Sequence, residues 1–248
     1  MVFLPPNSNS TIVTAYLLAP LSDGELKAVK AAFELGGHLR FAPMVEIKIV
    51  RPPDDYLGKS HAYIRTKEDE ADRPEPFVII DERAVSEEAV WYVKWFADQE
   101  EVDDATVEST SVLWEILVKT DEFSFMWVNY DIGNMSIGED LGNCGVDYPV
   151  KEGFVQPKVF ALYTDMREEQ YHVPAWVTAA PGIARFKPGV AEAAGLITDG
   201  GWGYPNEAEW IWKPDGSRVK APEGCVVLQV KWNPDFPWPE YRWPRGSL

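Results

Sequence analysis

Apolar and polar positions in the first 150 residues follow strand and helix patterns in alternation. Thr11–Leu18 is β-branched and apolar, which is typical of a buried strand. The next segment, Ser22–Leu35, predicts a helix because its apolar residues recur at intervals of three and four. These residues are Leu26, Val29 and Phe33. A serine and a glutamate in capping-box spacing open this helix, and Gly36-Gly37 predicts its end.

Four further segments predict strands. They are Met44–Val50, Phe77–Ile80, Val90–Phe96 and Val112–Val118. Met44–Val50 alternates apolar with charged residues, as a half-exposed strand does, whereas the other three are mainly apolar. Aromatic and β-branched residues favour a strand at Val90–Phe96, although the Ser-Glu-Glu before it would also suit the start of a helix.

Three other segments of the first 150 residues predict a loop and two helices. Glu100–Asp104 is acidic and predicts a loop. Phe123–Tyr130 predicts the beginning of a helix, and the segment from Ser136 to Gly142 predicts a short helical turn.

The composition changes after about residue 150, because six of the eleven tryptophans fall in the last 47 residues. Glu209–Lys213 and Arg218–Lys220 flank a Pro-Asp-Gly turn and predict a hairpin. Cys225–Trp232 predicts a strand, and the proline-rich Asn233–Pro244 predicts an extended tail. The sequence therefore predicts an α+β fold, with a mixed α/β unit over residues 1–150 and a β-rich, Trp/Pro-rich unit over 151–248. Whether these two units share one core is left open.

The composition is that of a folded globular protein, since 46% of the 248 residues are hydrophobic and 13% are aromatic. No apolar run approaches the roughly eighteen residues of a membrane-spanning helix. The first residues lack the basic and apolar regions of a secretory signal. Cys144 and Cys225 are expected as free thiols, although a disulfide between them is left open. These features predict a cytoplasmic protein that has no membrane partner.

Negative charge is concentrated in one stretch of the chain. The net charge is −17, and residues 66–110 hold fifteen Asp and Glu against four Lys and Arg. Such a field repels phosphates and attracts basic groups, so no nucleic acid is expected as a partner. Residues 66–110 could instead dock a basic protein, or serve only to keep the protein in solution.

Known motifs for phosphate, metal and covalent chemistry do not fit the spacing of these residues. Gly58-Lys59-Ser60 matches the end of a phosphate-binding loop, but Pro53 stands where that loop needs a glycine. The three histidines are isolated and lack metal-ligand spacing, and neither cysteine lies in a recognisable nucleophile context. The sequence therefore predicts no cofactor and no metal.

Three residues are candidates for catalysis: His61, Asp81 and His172. Histidine titrates near neutrality, and Asp81 ends an apolar strand, where carboxylates often face a cleft. His61 and Tyr63 are expected on one face of a short strand. The candidate substrate-binding residues are all aromatic: Tyr63, Trp176, Trp202 and Tyr204. Each candidate also fits a structural role, as a surface histidine, a turn carboxylate or a packed ring.

Two stretches within Phe77–Asp140 carry a family resemblance. One is Val-Ile-Ile-Asp-Glu-Arg, which an aromatic strand and a further strand follow, and the other is Trp127-Val-Asn-Tyr-Asp-Ile-Gly-Asn-Met-Ser-Ile. They are similar to a domain of unknown function found in fungi and bacteria, in which an aspartate-ended strand precedes a helix that closes in an Asn-x-x-Ile-Ala-Asn-Met-like stretch. The resemblance covers about a quarter of the chain, implies an α+β arrangement and carries no activity.

Three functions fit these features. The first is a cofactor-independent isomerase, cyclase or lyase that acts on an apolar or aromatic small molecule, in an aromatic-lined pocket where the two halves meet. The second is a non-catalytic protein whose acidic middle docks a basic partner. The third is carbohydrate binding through the C-terminal tryptophans. The first is ranked ahead of the others because aromatic loops accompany scattered His, Asp and Tyr residues.

Overall fold

The computed structural model describes residues 11–38, 45–161 and 243–248, together with the backbone of six short strands elsewhere. The chain divides into two compact units. One comprises Met1–Thr11, Gly37–Met44 and Thr164–Arg242. The other, which we call the sheet unit, comprises Ile12–Gly36, Val45–Tyr163 and Trp243–Leu248.

Strands and helices follow one another along the chain. The strands are β1 Val2–Phe3, β2 Thr11–Leu17, β3 Val45–Val50, β4 Phe77–Ile80, β5 Ala89–Phe96, β6 Leu113–Lys119, β7 His172–Val173, β8 Trp176–Val177, β9 Trp210–Trp212, β10 Arg218–Lys220 and β11 Val230–Lys231. The α-helices are α1 Asp23–His38, α2 His61–Glu70, α3 Arg83–Ser86, α4 Gln99–Asp103, α5 Phe123–Asp131 and α6 Ile137–Asn143. Short 3₁₀ turns at Asp54–Tyr56 and Thr120–Glu122 precede α2 and α5.

Five of these strands form one mixed sheet in the order β3-β2-β4-β5-β6. Strands β2 and β4 are parallel, with Ala15 opposite Val78. Strand β5 is antiparallel to both β4 and β6. Helix α1 connects β2 to β3, and α2 connects β3 to β4. The predicted α+β fold is therefore confirmed, and so are the predicted strands of the first half.

Apolar side chains cover both faces of the sheet, because successive residues of a strand point to opposite faces. Val78 and Ile80 belong to one core, to which α1, α5 and α6 contribute. Phe77 and Ile79 belong to a second core together with Ile64 of α2. Helix α2 therefore lies on the face of the sheet opposite to α1, α5 and α6.

Helix α1 begins as the sequence predicts and ends later than predicted. Glu25 Oε2 accepts a hydrogen bond from the Ser22 backbone N–H at 2.7 Å, as in a capping box. Two residues of the predicted apolar stripe are buried: Val29 and Phe33. The predicted end at Gly36-Gly37 is wrong, because the helix runs to His38. Gly36 instead permits a close approach of the chain, since a Cβ there would lie 2.1 Å from the carbonyl oxygen of Asp121.

The prediction of an acidic loop at Glu100–Asp104 is wrong, because most of these residues lie in α4. Asp98 Oδ1 accepts a hydrogen bond from the Glu101 backbone N–H at 2.9 Å, and Glu101 Oε2 accepts one from the Asp98 N–H at 3.0 Å. The Glu101 carboxylate also accepts a hydrogen bond from the Trp114 indole at 3.0 Å. These bonds hold a helix in a segment whose composition favours a loop.

Helix α2 is missing from the sequence predictions, which place His61 and Tyr63 on a strand. That expectation is wrong, because Ser60 caps a helix and its Oγ accepts a hydrogen bond from the Tyr63 backbone N–H at 3.2 Å. The helix has no apolar stripe, since two of its three buried residues are charged. Those two residues are Arg65 and Glu68.

Arg65 has no exposed surface and links α2 to the sheet. Its Nη1 donates hydrogen bonds to the carbonyl oxygens of Glu75 at 2.9 Å and Lys94 at 3.2 Å. Its Nη2 donates to the carbonyl oxygen of Arg73 at 2.6 Å and pairs with the Asp69 carboxylate at 2.7 Å. The guanidinium thus joins the helix to the loop before β4 and to β5.

Glu68, the second buried charge of α2, has its own partners. Nε and Nη2 of Arg73 each lie 2.7 Å from its carboxylate, and the Tyr56 hydroxyl donates a hydrogen bond to it. Burial alone would raise the pKa of Glu68, but the hydrogen bonds from Arg73, Tyr56 and Tyr16 outweigh burial and lower that pKa. Burial and the bond to Glu68 raise the pKa of Tyr56 to about 12. Both buried charges of α2 are thus ion-paired, Arg65 with Asp69 and Glu68 with Arg73.

Helices α5 and α6 meet on the other face at a buried polar pair. The Tyr130 hydroxyl donates a hydrogen bond to Asp140 Oδ2 at 2.7 Å. Burial raises the pKa of Asp140, although hydrogen bonds from Tyr130 and Asn143 oppose that rise. Cys144 lies beside the pair as a free, buried thiol, as predicted, and burial raises its pKa too. Cys225 lies outside the described residues.

The outer edge of β6 is covered by the chain that follows α6. The Phe160 backbone N–H donates to the Leu117 carbonyl oxygen at 2.8 Å, and the Lys119 N–H donates to the Phe160 carbonyl oxygen at 3.0 Å. The side-chain amide of Gln156 completes this cover, because it bonds both the N–H and the carbonyl of Leu117, at 2.8 and 2.9 Å. This cover satisfies backbone groups that would otherwise be open to another chain.

The short strands outside the large sheet pair as three antiparallel couples: β1 with β8, β7 with β11, and β9 with β10. The predicted hairpin is confirmed, with Trp212 of β9 opposite Arg218 of β10. Strand β11 falls within the predicted strand Cys225–Trp232, whose other residues lie outside the described part of the chain. The predicted extended tail also lies outside it, up to residue 242.

Replacing Arg65 with methionine should strongly destabilise the protein. Methionine fills similar space but donates no hydrogen bond, so the carbonyl oxygens of Arg73, Glu75 and Lys94 lose their buried donor. We expect a loss of about 3–5 kcal/mol in the free energy of unfolding, measured by urea denaturation. Arg51→Met, at an exposed arginine, serves as the control and should change stability by less than about 0.5 kcal/mol. Equal effects of the two substitutions would contradict the structural role of Arg65.

Asp140→Asn should show how stability depends on the ionisation of Asp140. The folded-state pKa lies above the unfolded value of about 3.9, so the contribution of the protonated acid is complete below that value and is lost as the pH rises through the folded pKa. Asparagine keeps an acceptor for Tyr130 and does not ionise. The stability of the variant relative to wild type should therefore increase between about pH 3 and pH 7, as urea unfolding at each pH would measure. The exposed Asp147→Asn is the control, and a flat difference for Asp140→Asn would contradict the shift.

Candidate functional site

The start of α2 places His61 over strands β5 and β6 of the sheet. Glu115 projects from β6 on the face that carries α2, because it lies two residues from Leu117, a member of the second core. On β5, Trp91 is opposite Leu117, so Trp91 and Glu115 are diagonal neighbours on that face. The helix cap, the strand register and the alternation of side chains together bring an imidazole, a carboxylate and an indole to one place.

His61 and Glu115 form a close pair. Nδ1 of His61 lies 2.5 Å from Oε2 of Glu115, and each side chain is 20% exposed. A carboxylate at Nδ1 favours the tautomer in which Nδ1 carries the proton and Nε2 carries a lone pair. Among the described residues, no hydrogen bond engages Nε2. The arrangement therefore orients the imidazole ring through Nδ1.

The Trp91 indole contacts His61, Asp81 and Arg83. The His61 ring meets it edge-on, with centroids 5.3 Å apart. The indole N–H donates to Asp81 Oδ2 at 3.2 Å, and the Arg83 guanidinium lies over the ring, 5.0 Å from its centroid. Trp91 is buried, so these contacts fix a rigid wall beside His61.

Asp81, like His61, contacts Trp91, but its carboxylate is already bonded. Besides the Trp91 indole, it accepts a hydrogen bond from the Arg83 backbone N–H, at 2.9 Å to Oδ1. That bond closes the turn into α3. Both Asp81 oxygens are therefore engaged, and the bond to the Trp91 indole helps to hold that ring in place.

The other predicted site residues lie further along α2 or outside the side chains that the structure describes. Tyr63 lies two residues along α2, and its ring contacts the ammonium groups of Lys59 and Lys67 at 5.5 and 5.7 Å. His172 and Trp176 lie in the short strands β7 and β8, where only the backbone is described. Trp202 and Tyr204 lie outside the described residues. The roles predicted for these five residues, and the pocket predicted between the two halves of the chain, stay predictions.

Sequence reasoning missed three members of the site: Trp91, Glu115 and Arg83. Glu115 had a signal, because it is the charged residue inside the otherwise apolar segment Val112–Val118. A carboxylate in a buried strand needs a partner, and a histidine is one of the groups that can supply it. Trp91 and Arg83 had no comparable signal, since their meeting depends on the pairing of β4 with β5.

The described residues form neither a metal site nor a membrane-spanning helix. Within them, no group of three or more His, Cys, Asp and Glu side chains could hold a metal ion. In the same part of the chain, no helix has both the length and the apolar character needed to cross a membrane.

Comparison with known proteins assigns no family to the chain. No family model, no curated protein and no solved structure matches it. The similarity of Phe77–Asp140 to a domain of unknown function stays a prediction, and any function has to be argued from the residues themselves.

Proposed function

We propose that the protein is an enzyme that transfers a proton within a small molecule, with His61 as the base. The observation that carries the proposal is the pair formed by His61 Nδ1 and Glu115 Oε2 at 2.5 Å, partly open to solvent. A histidine held by a carboxylate is a common arrangement for general acid–base catalysis, because the carboxylate fixes the tautomer and stabilises the imidazolium that forms.

The proposed reaction is one that two proton transfers can complete. Nε2 of His61 takes a proton from a carbon next to a carbonyl group, and the electrons of the broken C–H bond pass into the carbonyl as an enolate. The imidazolium, paired with Glu115, then returns the proton to a different atom in an isomerisation. In a lyase reaction the electron pair of the enolate instead forms a C=C bond and expels a leaving group from the adjacent carbon, and the leaving group takes the proton from the imidazolium. Neither route requires an oxidant or a reductant, so we propose a cofactor-independent isomerase or lyase.

Trp91 supports a substrate with a flat or apolar part. Its ring stands beside the imidazole, and Asp81 and Arg83 hold it from two directions. Because the ring is buried, it offers a substrate a fixed apolar boundary beside His61 and loses no further rotational freedom on binding.

The two alternative functions have less support from the described residues. Helix α4 holds exposed carboxylates at Glu100 and Asp103 in a capped segment, which is compatible with docking of a basic partner by residues 66–110. Carbohydrate binding rests on C-terminal tryptophans, of which Trp243 is half-buried and donates its indole N–H to Glu34. Both functions stay predictions, as do the small-molecule ligand and the cytoplasmic location.

Proton abstraction can be tested before the substrate is known. The protein is incubated in D₂O with a panel of aromatic and apolar carbonyl compounds, and ¹H NMR follows the loss of the signal from the C–H group next to each carbonyl. We expect wild type to speed the exchange of at least one compound, and His61→Gln to slow that catalysed exchange by roughly 10²–10⁴-fold. Glu115→Gln should lower the rate as well, because it removes the charge that stabilises the imidazolium.

Two controls separate this mechanism from the alternatives. Glu70→Gln changes an exposed carboxylate on the same helix, paired with Lys67, and should leave the exchange rate unchanged. His172→Gln tests the other predicted base in the same assay. Equal exchange by wild type and a folded His61→Gln variant would contradict the proposal, and so would the absence of exchange above the buffer rate for every compound.

A further inference from the structure

The last described residues of the chain, Trp243–Leu248, pack against the edge of the sheet unit. They contact α1 and the edge strand β3, which pairs with β2 on its other side. An edge strand presents unpaired backbone groups, and these are a template for a further peptide segment. We call Trp243–Leu248 the terminal segment and the surface under it the α1–β3 groove.

Backbone groups of β3 recognise one end of the terminal segment. The Leu248 N–H donates a hydrogen bond to the Ile49 carbonyl oxygen at 2.9 Å. The Ile49 N–H donates one to Ser247 Oγ at 3.1 Å. Both polar groups of one edge residue are therefore satisfied by the segment, as in the addition of a peptide to a sheet edge.

Side chains of α1 recognise both ends of the terminal segment. The Trp243 indole N–H donates a hydrogen bond to Glu34 Oε1 at 2.7 Å. The Lys30 ammonium lies 4.6 Å from the centroid of the Trp243 ring and donates a hydrogen bond to the Leu248 carbonyl oxygen at 2.8 Å. Lys30 and Glu34 are one helical turn apart, so they present a cation and an anion side by side.

A turn in the terminal segment allows both ends to reach the same lysine. The Ser247 N–H donates a hydrogen bond to the Pro244 carbonyl oxygen at 3.0 Å, and Gly246 has a φ of 82°. Residues with side chains rarely adopt that conformation, so the glycine is required for the turn. The segment is thus a compact unit whose contacts come from a tryptophan, a glycine turn and an extended last residue.

We infer that the α1–β3 groove is a peptide-recognition site and that the terminal segment is its resident ligand. The segment reaches the groove from within the same chain, so its local concentration is high and few contacts suffice to hold it. The same groove accepts a separate peptide with a tryptophan, a proline–glycine turn and an aliphatic residue five positions after the tryptophan. This inference goes beyond the proposed catalytic function and does not depend on it.

The test uses the full chain and a fluorescein-labelled peptide Trp-Pro-Arg-Gly-Ser-Leu. In the variant Trp243→Ala/Gly246→Val, the resident segment loses its indole contact and its turn, so the groove is free. Fluorescence anisotropy should show saturable binding of the peptide to this variant, and binding at least about tenfold weaker to wild type, where the resident segment competes. If the double variant does not fold, Trp243→Ala alone carries the same comparison.

Substitutions in the groove show where the peptide binds. In the same background, Glu34→Leu removes the acceptor of the indole N–H and should weaken peptide binding at least about tenfold, whereas Glu34→Gln keeps an acceptor and should largely restore it. A peptide with alanine in place of tryptophan should not bind. Absence of binding to the folded variant would overturn the inference, and so would binding that neither Glu34→Leu nor the altered peptide weakens.

Discussion

Arg65 carries a permanent charge at a position without exposed surface, and backbone carbonyl oxygens converge on its two Nη groups. Those carbonyls belong to the loop before β4 and to β5, so the burial of one guanidinium fixes α2 against two neighbouring parts of the sheet. Once α2 is fixed, its first residue, His61, has one position over Trp91 and Glu115. The geometry of the candidate site therefore depends on a buried charge whose backbone acceptors lie between 8 and 29 residues away in the sequence.

At each edge of the five-stranded sheet, a segment from later in the chain forms hydrogen bonds with the edge strand. Gln156 and Phe160 satisfy the backbone of β6, and Ser247 and Leu248 satisfy that of β3. In each case a segment from later in the chain uses a side chain to bond an edge residue, Gln156 at one edge and Ser247 at the other. These bonds protect both edge strands against pairing with other chains. At β3, the surface that the terminal segment occupies is the α1–β3 groove, which we propose recognises a short peptide.

The sequence predicts the parts of the fold that apolar periodicity encodes and misses the parts that buried polar contacts hold. The strands and α1 follow from their apolar residues, whereas α2 is hidden because Arg65 and Glu68 occupy positions that a periodic helix fills with apolar side chains. His61 is found as a candidate from its residue type, and Asp81 from its position at the end of an apolar strand. Their meeting at Trp91 depends on the β4–β5 register, with Ile79 opposite Trp91, and on the Ser60 cap. Long-range geometry of this kind is not contained in local sequence patterns.

The central claim is that Glu115 holds His61 by Nδ1 and leaves Nε2 as the base. The most direct measurement is ¹⁵N-resolved NMR of the imidazole group in wild type and in Glu115→Ala. The account predicts that the His61 ring of wild type carries a protected, downfield-shifted proton on Nδ1 while Nε2 is unprotonated, and that this proton signal is lost in the variant. A His61 ring that is protonated at Nε2 alone, or whose spectrum is the same in both proteins, would contradict the account.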